Sequence, residues 1–373
     1  MTRSRLAFLV THGVTANRLL KGQLAYLRKN GFDVTVIASP GADLDAVRER
    51  EGVDVVGVEM SRRVRLHEGP LVLARIAREL RRLNPDIVNA STPKAGLLGM
   101  LAARALGIRR RIFLLRGLRF EGFTGAARTL LMGTDRIAAA CAHDIVCVSD
   151  SVRRAVLTSR ISPPSKTTTI PSNGIDASRF RSRSMTRESA RKTRADLGIP
   201  PDAVVAGFVG RLVPEKGVED MLSALEAATN VWLLLVGGDL AGDALPQSIT
   251  DRLAHPRVVR VGPVDDPAPY YEAMDLLLFP SYREGLPNVP LEAAASELPV
   301  IGYRVTGVVD AVVDGETGLL VPVRDTHALA NALVRYATDQ GLRTAHGLAG
   351  RTRVLDRFTN EATWARWLSL YSQ

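Results

Sequence analysis

Residues 5–39 read RLAFLVTHGVTANRLLKGQLAYLRKNGFDVTVIAS and carry the patterns of a strand, a helix and a second strand. An apolar run opens the stretch and another closes it, and between them Leu20, Leu24 and Leu27 recur at helical spacing. Gly31 follows these leucines, at a place where glycine commonly ends a helix. Because two strands joined through a helix run parallel in one sheet, the stretch predicts a βαβ unit.

The same alternation continues to residue 148 and starts again after a polar, charged segment at residues 178–203. That segment ends in a proline pair and predicts a linker with a short helix. A chain of 373 residues is also longer than one core usually supports. The sequence therefore predicts two doubly wound, Rossmann-like α/β domains, at residues 1–180 and 196–357, and a C-terminal helix with an apolar stripe at residues 358–373.

The composition is that of a globular protein, with 46% hydrophobic and 24% charged residues. No apolar run reaches the ~20 residues of a membrane span, and the opening LAFLV is shorter than the apolar core of a secretion signal. A cytoplasmic location is therefore predicted. Cys141 and Cys147 lie in an apolar segment and are expected to be buried free thiols, and the six histidines form no metal-binding pattern.

Charge is divided unevenly between the two halves of the chain. Residues 1–180 contain 29 basic and 15 acidic residues, whereas residues 181–373 contain 20 basic and 24 acidic residues. The basic half favours contact with an anionic surface, although a solvated, arginine-rich face would give the same count. Arginines are concentrated on the outer side of the helix predicted at residues 71–83 and in RALGIRRR at residues 104–111. A basic amphipathic surface of this kind is suited to an anionic membrane leaflet.

Segments that follow strands are the expected ligand sites, because open α/β sheets bind ligands beyond the carboxyl ends of their strands. After the first strand, Gly13 permits close approach of a ligand to the backbone. After the first strand of the second half comes GRLVPEKG, in which Arg211 and Lys216 flank a turn that ends at Gly217. Two cations at a strand end are suited to a diphosphate, although solvated basic residues would look the same.

A third segment, SYREGLPNVPLEAAASELPVIG at residues 281–302, places Glu284 in a loop and Glu292 in the helix that follows. Pro290 is expected near the first helical position, so Glu292 is expected in the first turn, where the helix dipole would keep it ionised. An ionised carboxylate can bind a pair of sugar hydroxyls. The alternative is that Glu292 only complements the dipole and Glu284 is exposed to solvent.

These segments together resemble a known family. SYREGLPNVPLEAAASELPVIG, with its E-x7-E spacing, and GFVGRLVPEKGVEDML resemble the signature of retaining glycosyltransferases of family 4, which have the GT-B fold. NGIDASRF, AMDLLLFPS and VTGVVDAVVDGETGLLVPVRD are similar to the same family. RGLRFEG and VCVSDSVRR are similar to a branch that acts on polyprenyl-diphosphate-linked sugars in capsule and O-antigen assembly. The resemblance covers nearly the whole chain and implies two domains that face each other across a cleft, with the C-terminal helix crossing back to the first.

The resemblance also implies roles for matched positions. Arg211 and Lys216 would hold the donor diphosphate, and Glu292 would bind the donor ribose. The residues implied in donor binding are Gly13, Arg211, Lys216, Val261, Gly262, Val264, Glu284, Gly285, Leu286, Pro287, Asn288, Val289 and Glu292. The residues implied in catalysis are Glu284, Lys216, Arg211 and Arg116. Arg116 stands where many family members have a histidine, so it is the expected cation near the leaving group or the acceptor diphosphate.

The predicted function is therefore that of a hexosyltransferase of EC 2.4 type. It would move a sugar with retained configuration from a nucleotide sugar, such as a UDP-N-acetylhexosamine, to a hydroxyl of a polyprenyl-diphosphate-linked saccharide in cell-surface polysaccharide biosynthesis. Residues 1–180 would bind the acceptor and residues 196–357 the donor. Neither a metal nor a cofactor is expected, because cations and helix ends can stabilise the departing diphosphate. The expected partners are the donor, the lipid-linked acceptor and the anionic inner face of the cell membrane.

Four other functions are compatible with parts of the sequence. A sugar-nucleotide epimerase also uses two α/β domains but needs no acceptor, and a glycosyltransferase of this type could act on a soluble small-molecule acceptor. A glycoside hydrolase could use Glu284 and Glu292 as acid and base, but Arg211 and Lys216 would then have no task. A nucleic-acid binder would explain the charge, but the chain has no matching motif and only 5% aromatic residues, so no nucleic acid is expected as a partner.

Overall fold

The structure is a computed structural model that describes residues 3–61, 68–171, 174–239 and 244–373. It divides into two compact units. The first contains Met1–Gly174 and Asn360–Gln373, and the second contains Ile175–Thr359. Asn173, the first residue of the NGIDASRF segment, lies outside the described residues.

The first unit is built on a sheet of seven parallel strands. These are β1 (Ser4–His12), β2 (Phe32–Ser39), β3 (Asp54–Gly57), β4 (Ile87–Ser91), β5 (Arg110–Leu115), β6 (Asp144–Cys147) and β7 (Thr167–Thr169). Their order across the sheet is β3-β2-β1-β4-β5-β6-β7. The order reverses between β1 and β4, which makes the sheet doubly wound, as predicted.

Eight helices belong to the described part of the first unit. They are α1 (Gly13–Leu19), α2 (Gln23–Lys29), α3 (Ala42–Glu51), α4 (Gly69–Leu83), α5 (Pro93–Ala105), α6 (Gly125–Cys141), α7 (Asp150–Thr158) and α16 (Asn360–Tyr371). The continuous helix predicted through Leu20 and Leu27 is wrong, because Gly22 breaks it in a left-handed conformation with φ of 78°. The leucines are nevertheless buried as their spacing indicates.

The second unit repeats the plan on a sheet of six parallel strands. These are β8 (Val204–Val209), β9 (Val231–Val236), β10 (Val258–Gly262), β11 (Leu276–Phe279), β12 (Val300–Tyr303) and β13 (Gly318–Val321). Their order is β10-β9-β8-β11-β12-β13, with the reversal between β8 and β11. The prediction of a second doubly wound sheet is therefore also confirmed.

Helices cover this second sheet. They are α8 (Arg187–Asp196), α9 (Val218–Glu226), α10 (Gln247–Arg252), α11 (Ala268–Ala273), α12 (Asn288–Ala295), α13 (Val308–Ala311), α14 (Thr326–Thr338) and α15 (Gln340–Arg357). α8, from the segment predicted as a linker, packs on α11. Strands β8, β9, β11 and β12 are almost completely buried, as expected for a parallel sheet with helices on both faces, whereas the edge strands β10 and β13 are only partly buried.

The C-terminal helix α16 packs within the first unit. Trp367 is 1% exposed, and its indole Nε1 donates a hydrogen bond to the Pro171 carbonyl at 2.7 Å. Tyr371 lies against Phe8 of β1, and its hydroxyl is 2.5 Å from the amide nitrogen of Asn89 in β4. The apolar stripe of this helix is therefore accounted for by burial against the first sheet.

Two further predictions concern the cysteines and the membrane. Cys141 and Cys147 are buried free thiols, as expected, and burial raises the pKa of Cys147 to about 12, so this thiol is unreactive at neutral pH. Within the described ranges, none of the helices is long and apolar enough to span a bilayer.

Candidate functional site

The candidate site of the second unit lies where the strand order of its sheet reverses. β8 and β11 are neighbours at this point, and helices wind away from them in opposite directions, which leaves a crevice beyond their carboxyl ends. The segment Gly210–Gly217 follows β8, and the segment Pro280–Pro287 follows β11. Both motifs singled out in the sequence therefore emerge at the same place on the sheet.

Lys216 and Glu284 meet there in an ion pair. The lysine Nζ is 2.5 Å from Oε1 of the glutamate, and the two side chains are only 15% and 14% exposed. Lys216 also lies 3.4 Å from the hydroxyl of Ser281, a residue with no exposed surface. The expectation that Glu284 could be a solvent-exposed carboxylate is wrong, because the pair is largely withdrawn from water.

The two segments are joined by further contacts. The backbone amide of Tyr282 donates to the Glu215 carbonyl at 3.0 Å, and the Arg283 guanidinium lies 2.9 Å from the Glu215 carboxylate. Gly217 has φ of 69°, and a Cβ there would be 2.3 Å from the Pro280 carbonyl oxygen. Glycine is therefore required at this position both by the conformation and by the close approach of the two segments.

Glu292 is held differently from Glu284. Helix α12 begins at Asn288, so Pro290 is its third residue and Glu292 its fifth. The prediction that Glu292 lies in the first turn, next to the positive end of the helix dipole, is therefore wrong. Burial raises the pKa of Glu292, while the hydrogen bond from the Tyr271 hydroxyl at 2.8 Å acts to lower it. Tyr271, which is fully buried in α11, was not identified from the sequence because only the folded chain brings it to Glu292.

The remaining predicted donor residues of this unit lie in the segments that follow β8 and β11, in helix α12, and at or just after the end of β10. Arg211 is exposed, and among the described residues neither it nor Glu292 forms a hydrogen bond or ion pair with Lys216 or Glu284. The loop residues Gly285, Leu286 and Pro287 lead into α12, whose first two residues are Asn288 and Val289. Val261 and Gly262 end β10, and Val264 lies in the following turn, all partly buried.

Gly13 belongs to the first unit, where it is the first residue of α1 and is buried. A Cβ at this position would be 2.8 Å from the Leu44 backbone nitrogen, so the absence of a side chain lets α1 pack on α3. This packing accounts for the glycine without a ligand, as the frequency of glycine in strand-to-helix turns allows. The contact of its backbone with a donor stays a prediction.

Arg116 follows β5 in the first unit and is partly buried. Its Nε donates to the Ser91 hydroxyl at 3.2 Å, and its Nη1 is buried without a hydrogen-bond partner in the described part of the chain. Burial lowers the pKa of Arg116 to about 10, although the guanidinium stays charged at neutral pH. A cation with an unused, buried N–H can donate a hydrogen bond to an anionic or hydroxyl group of a ligand, or to a water molecule.

Among the residues that the structure describes, no three histidine, cysteine, aspartate or glutamate side chains are grouped in a way that could hold a metal ion. Cations at the end of a parallel strand, next to a helix N-terminus, are suited to binding a diphosphate.

Comparisons with known proteins match both units. Residues 16–179 match the family described as Glycosyltransferase Family 4, and residues 203–339 match Glycosyl transferases group 1. The chain is 33% identical over 375 residues to the capsular polysaccharide biosynthesis glycosyltransferase CapM of Staphylococcus aureus, covering 97% of this chain and 96% of that protein. It is 28% identical over 268 residues to an Escherichia coli UDP-Gal:alpha-D-GlcNAc-diphosphoundecaprenol alpha-1,3-galactosyltransferase, covering 69% of this chain and 67% of that one.

A solved structure of Anabaena HepE in complex with UDP and glucose superimposes on the chain with a TM-score of 0.83. The sequence identity is 20%, and the match covers 99% of this chain and 100% of that one. At this identity the likeness concerns the fold.

Proposed function

Because the chain belongs to the family 4 glycosyltransferases and has their GT-B fold, we propose that it transfers a sugar from a UDP-sugar to a hydroxyl of a lipid-linked saccharide, with retained configuration. The product would be part of a capsular or lipopolysaccharide glycan. UDP is proposed because it is named with HepE and, as UDP-Gal, with the E. coli relative. The lipid-linked acceptor is proposed because the E. coli relative is named for a sugar linked to diphosphoundecaprenol. We propose an N-acetylhexosamine as the transferred sugar because of the resemblance to the polyprenyl-diphosphate branch.

The observation that carries the proposal is the Lys216–Glu284 pair at the point where the second sheet reverses. Lys216 presents a largely buried ammonium group at a strand end, where the donor diphosphate would bind and where negative charge grows as the glycosidic bond breaks. Arg211, five residues earlier and exposed, is proposed to add a second cation. With these charges provided by side chains, we propose that the reaction needs neither a metal nor a cofactor.

We propose that Glu284 positions the donor sugar and does not attack it. Its Oε1 is engaged by Lys216 at 2.5 Å, which withdraws electron density from the carboxylate and makes it a weak nucleophile. The acceptor hydroxyl would then attack the anomeric carbon on the face that the diphosphate leaves. The departing phosphate oxygen would take the acceptor proton, so the anomeric configuration is retained.

The other predicted residues are proposed to bind the rest of the donor and the acceptor. Glu292 would accept hydrogen bonds from the ribose, the partly buried segment from Val261 to Val264 would contact the base, and residues Gly285 to Val289 would contact the sugar and phosphates. In the first unit, the Gly13 backbone would contact the donor, and Arg116 would supply a cation to the acceptor diphosphate or the leaving group. The unpartnered Nη1 of Arg116 supports this last assignment.

The test begins with thermal-shift measurements on UDP, ADP, GDP and TDP, in which UDP alone should stabilise the protein. Purified protein is then incubated with UDP-sugars and a polyprenyl-diphosphate disaccharide, with and without EDTA, and released UDP is measured. Release that requires the lipid-linked acceptor and survives EDTA supports the proposal. Release without any acceptor would favour an epimerase or hydrolase, and equal release with a soluble sugar would favour a soluble acceptor. NMR of the product reports whether the anomeric configuration is retained.

We also propose that the first unit binds an anionic membrane surface. Residues 69–141 contain thirteen basic and four acidic residues, and helices α4, α5 and α6 of this segment pack side by side. Leu71 near the start of α4, Phe123 just before α6 and Leu130 in α6 are 55%, 43% and 69% exposed. Apolar side chains among exposed arginines are suited to the interface of an anionic bilayer, at the level where a lipid-linked acceptor would be found.

Sedimentation with phosphatidylcholine vesicles, with and without phosphatidylglycerol, tests this surface. Binding should require phosphatidylglycerol, decrease with salt and be weakened by Leu130→Asn. Leu348→Asn is the matched control, because Leu348 is 50% exposed on α15 in the second unit. Binding that is independent of salt, or that both substitutions weaken equally, would contradict the proposal.

A further inference from the structure

A buried carboxylate connects the two segments that carry Lys216 and Glu284. Asp220 is 7% exposed, and its Oδ2 accepts hydrogen bonds from the Tyr282 hydroxyl at 2.8 Å and from the Tyr303 hydroxyl at 2.6 Å. Asp220 is the third residue of α9, the helix that begins directly after Gly217. Tyr282 is two residues before Glu284, in the loop after β11.

Burying a carboxylate is costly unless its hydrogen bonds are satisfied. Two phenol hydroxyls on one oxygen, together with a position in the first turn of a helix, meet that requirement for Asp220. Burial, followed by the hydrogen bond to Asp220, raises the pKa of Tyr282 to about 12, so its hydroxyl remains a donor at neutral pH. The hydrogen bond from Tyr282 to Asp220 is therefore retained at neutral pH.

The two tyrosines also pack on each other. Their ring centroids are 5.9 Å apart with an interplanar angle of 12°, and the Arg324 guanidinium lies 4.5 Å above the Tyr282 ring. Tyr303 ends β12, which is paired on both sides, with β11 and β13, and this makes it a rigid support. Tyr282 is thus the one member of this group that belongs to the loop carrying Glu284.

We propose that Asp220 and Tyr282 are positioning residues that fix the Glu284 loop against the Lys216 segment. Neither side chain has to touch the substrate. The hydrogen bond between them sets the distance at which the Lys216–Glu284 pair forms and presents both groups to the donor. This inference rests on the proposed function of that pair in donor binding and transfer.

Tyr282→Phe and Tyr303→Phe form a matched pair for the test. Each removes one hydroxyl from the same Asp220 oxygen and keeps the aromatic ring, but only the first breaks a hydrogen bond to the loop that carries Glu284. Because misplacement of reacting groups by about 1 Å costs on the order of 10²-fold in rate, we expect Tyr282→Phe to lower kcat by at least about 10-fold. The KM for the UDP-sugar should stay within a factor of about 3, and Tyr303→Phe should keep kcat within that factor, since β12 carries no site residue. Melting temperatures of the two variants should fall by similar amounts.

Hydrogen exchange measured by mass spectrometry supplies a readout that needs no turnover. Amides of residues 281–287 should exchange faster in Tyr282→Phe than in Tyr303→Phe or the unaltered protein. Equal exchange in the two variants, or equal losses of kcat, would overturn the positioning role. If the unaltered protein neither binds UDP nor turns over any UDP-sugar but the exchange difference is observed, the proposed function fails while the structural coupling stands.

Discussion

Replacing Lys216 with alanine removes the cation that neutralises Glu284. The carboxylate, 14% exposed, would then remain among buried groups without a partner of opposite charge. The alanine cannot restore the contact with the Ser281 hydroxyl either. The substitution therefore has two consequences, one for the stability of the second unit and one for the proposed stabilisation of the donor diphosphate, and they can be measured separately.

Removing one partner of a buried ion pair costs about 3–5 kcal/mol of folding free energy. In a unit of this size each kcal/mol lowers the melting temperature by about 2–4 °C, so Lys216→Ala should lower it by roughly 6–20 °C. Loss of one charge-stabilising donor should also lower kcat/KM by at least ~10²-fold. Differential scanning calorimetry gives the first quantity, and a UDP-release assay at a temperature where the variant is folded gives the second.

The double variant Lys216→Met/Glu284→Gln separates the two effects. It replaces the ion pair with neutral side chains of similar size, and such replacements are often neutral for stability. Its melting temperature should return to within a few degrees of the unaltered protein, while its kcat/KM should remain as low as that of Lys216→Ala or lower. Recovery of turnover together with stability would refute the assignment of Lys216 to the diphosphate. An unchanged melting temperature in Lys216→Ala would refute the buried ion pair itself.

Three further predictions follow from single positions. Gly217→Ala and Gly198→Ala each place a side chain on a residue with φ near 69°. The Cβ added at Gly217 would be 2.3 Å from the Pro280 backbone oxygen, whereas nothing lies within 4 Å of the Cβ added at Gly198. Urea unfolding should therefore show a loss about 1–3 kcal/mol larger for Gly217→Ala. Burial raises the pKa of Asp135 to about 6 from 3.8, so the folded state holds its proton more tightly and stability falls as pH rises between these values. Asp135→Asn should consequently stabilise the protein by up to about 3 kcal/mol at pH 8 and leave it unchanged near pH 3, as measured by urea unfolding at each pH. Burial also raises the pKa of Glu292, so this carboxylate takes up a proton at a higher pH than an exposed glutamate does. The affinity for UDP, measured by calorimetry, should therefore weaken as the pH falls through that range, and Glu292→Gln should remove this pH dependence. The same pH dependence in both proteins would argue against a ribose contact.

The alternation of apolar runs and helical patterns was sufficient to predict both sheets. Strands that are joined through helices form a parallel sheet, and the helices cover both faces of that sheet and bury its strands. The break at Gly22 could not be predicted in this way. A Cβ there would be 2.6 Å from the Trp364 ring, so the conformation reflects packing against a helix more than 300 residues further along the chain. Local spacing contains no information about such a contact.

The candidate site shows the same division between local and distant information. Lys216 and Glu284 could be expected to approach each other because both follow strands of one sheet near its reversal point. The start of α12 could not be fixed from Pro290, since proline is tolerated throughout the first turn, where amide hydrogens have no partner in the helix. The supporting residues Tyr271 and Asp220 could not be found at all, because only the fold brings them to the glutamate and tyrosine that they contact.

The two glutamates of the E-x7-E pattern are thus equivalent in sequence but not in environment. Glu284 has its charge compensated by Lys216, so a diphosphate that attracts the lysine would also change the electrostatic environment of the carboxylate next to the donor sugar. Glu292 has no cation within ion-pair distance in the described part of the chain and depends on the Tyr271 hydroxyl. Donor binding should therefore act on Glu284 through its ion pair with Lys216, whereas Glu292 responds to pH through its own burial. This difference supports giving the first glutamate the role beside the reacting sugar and the second the role of holding an uncharged ribose.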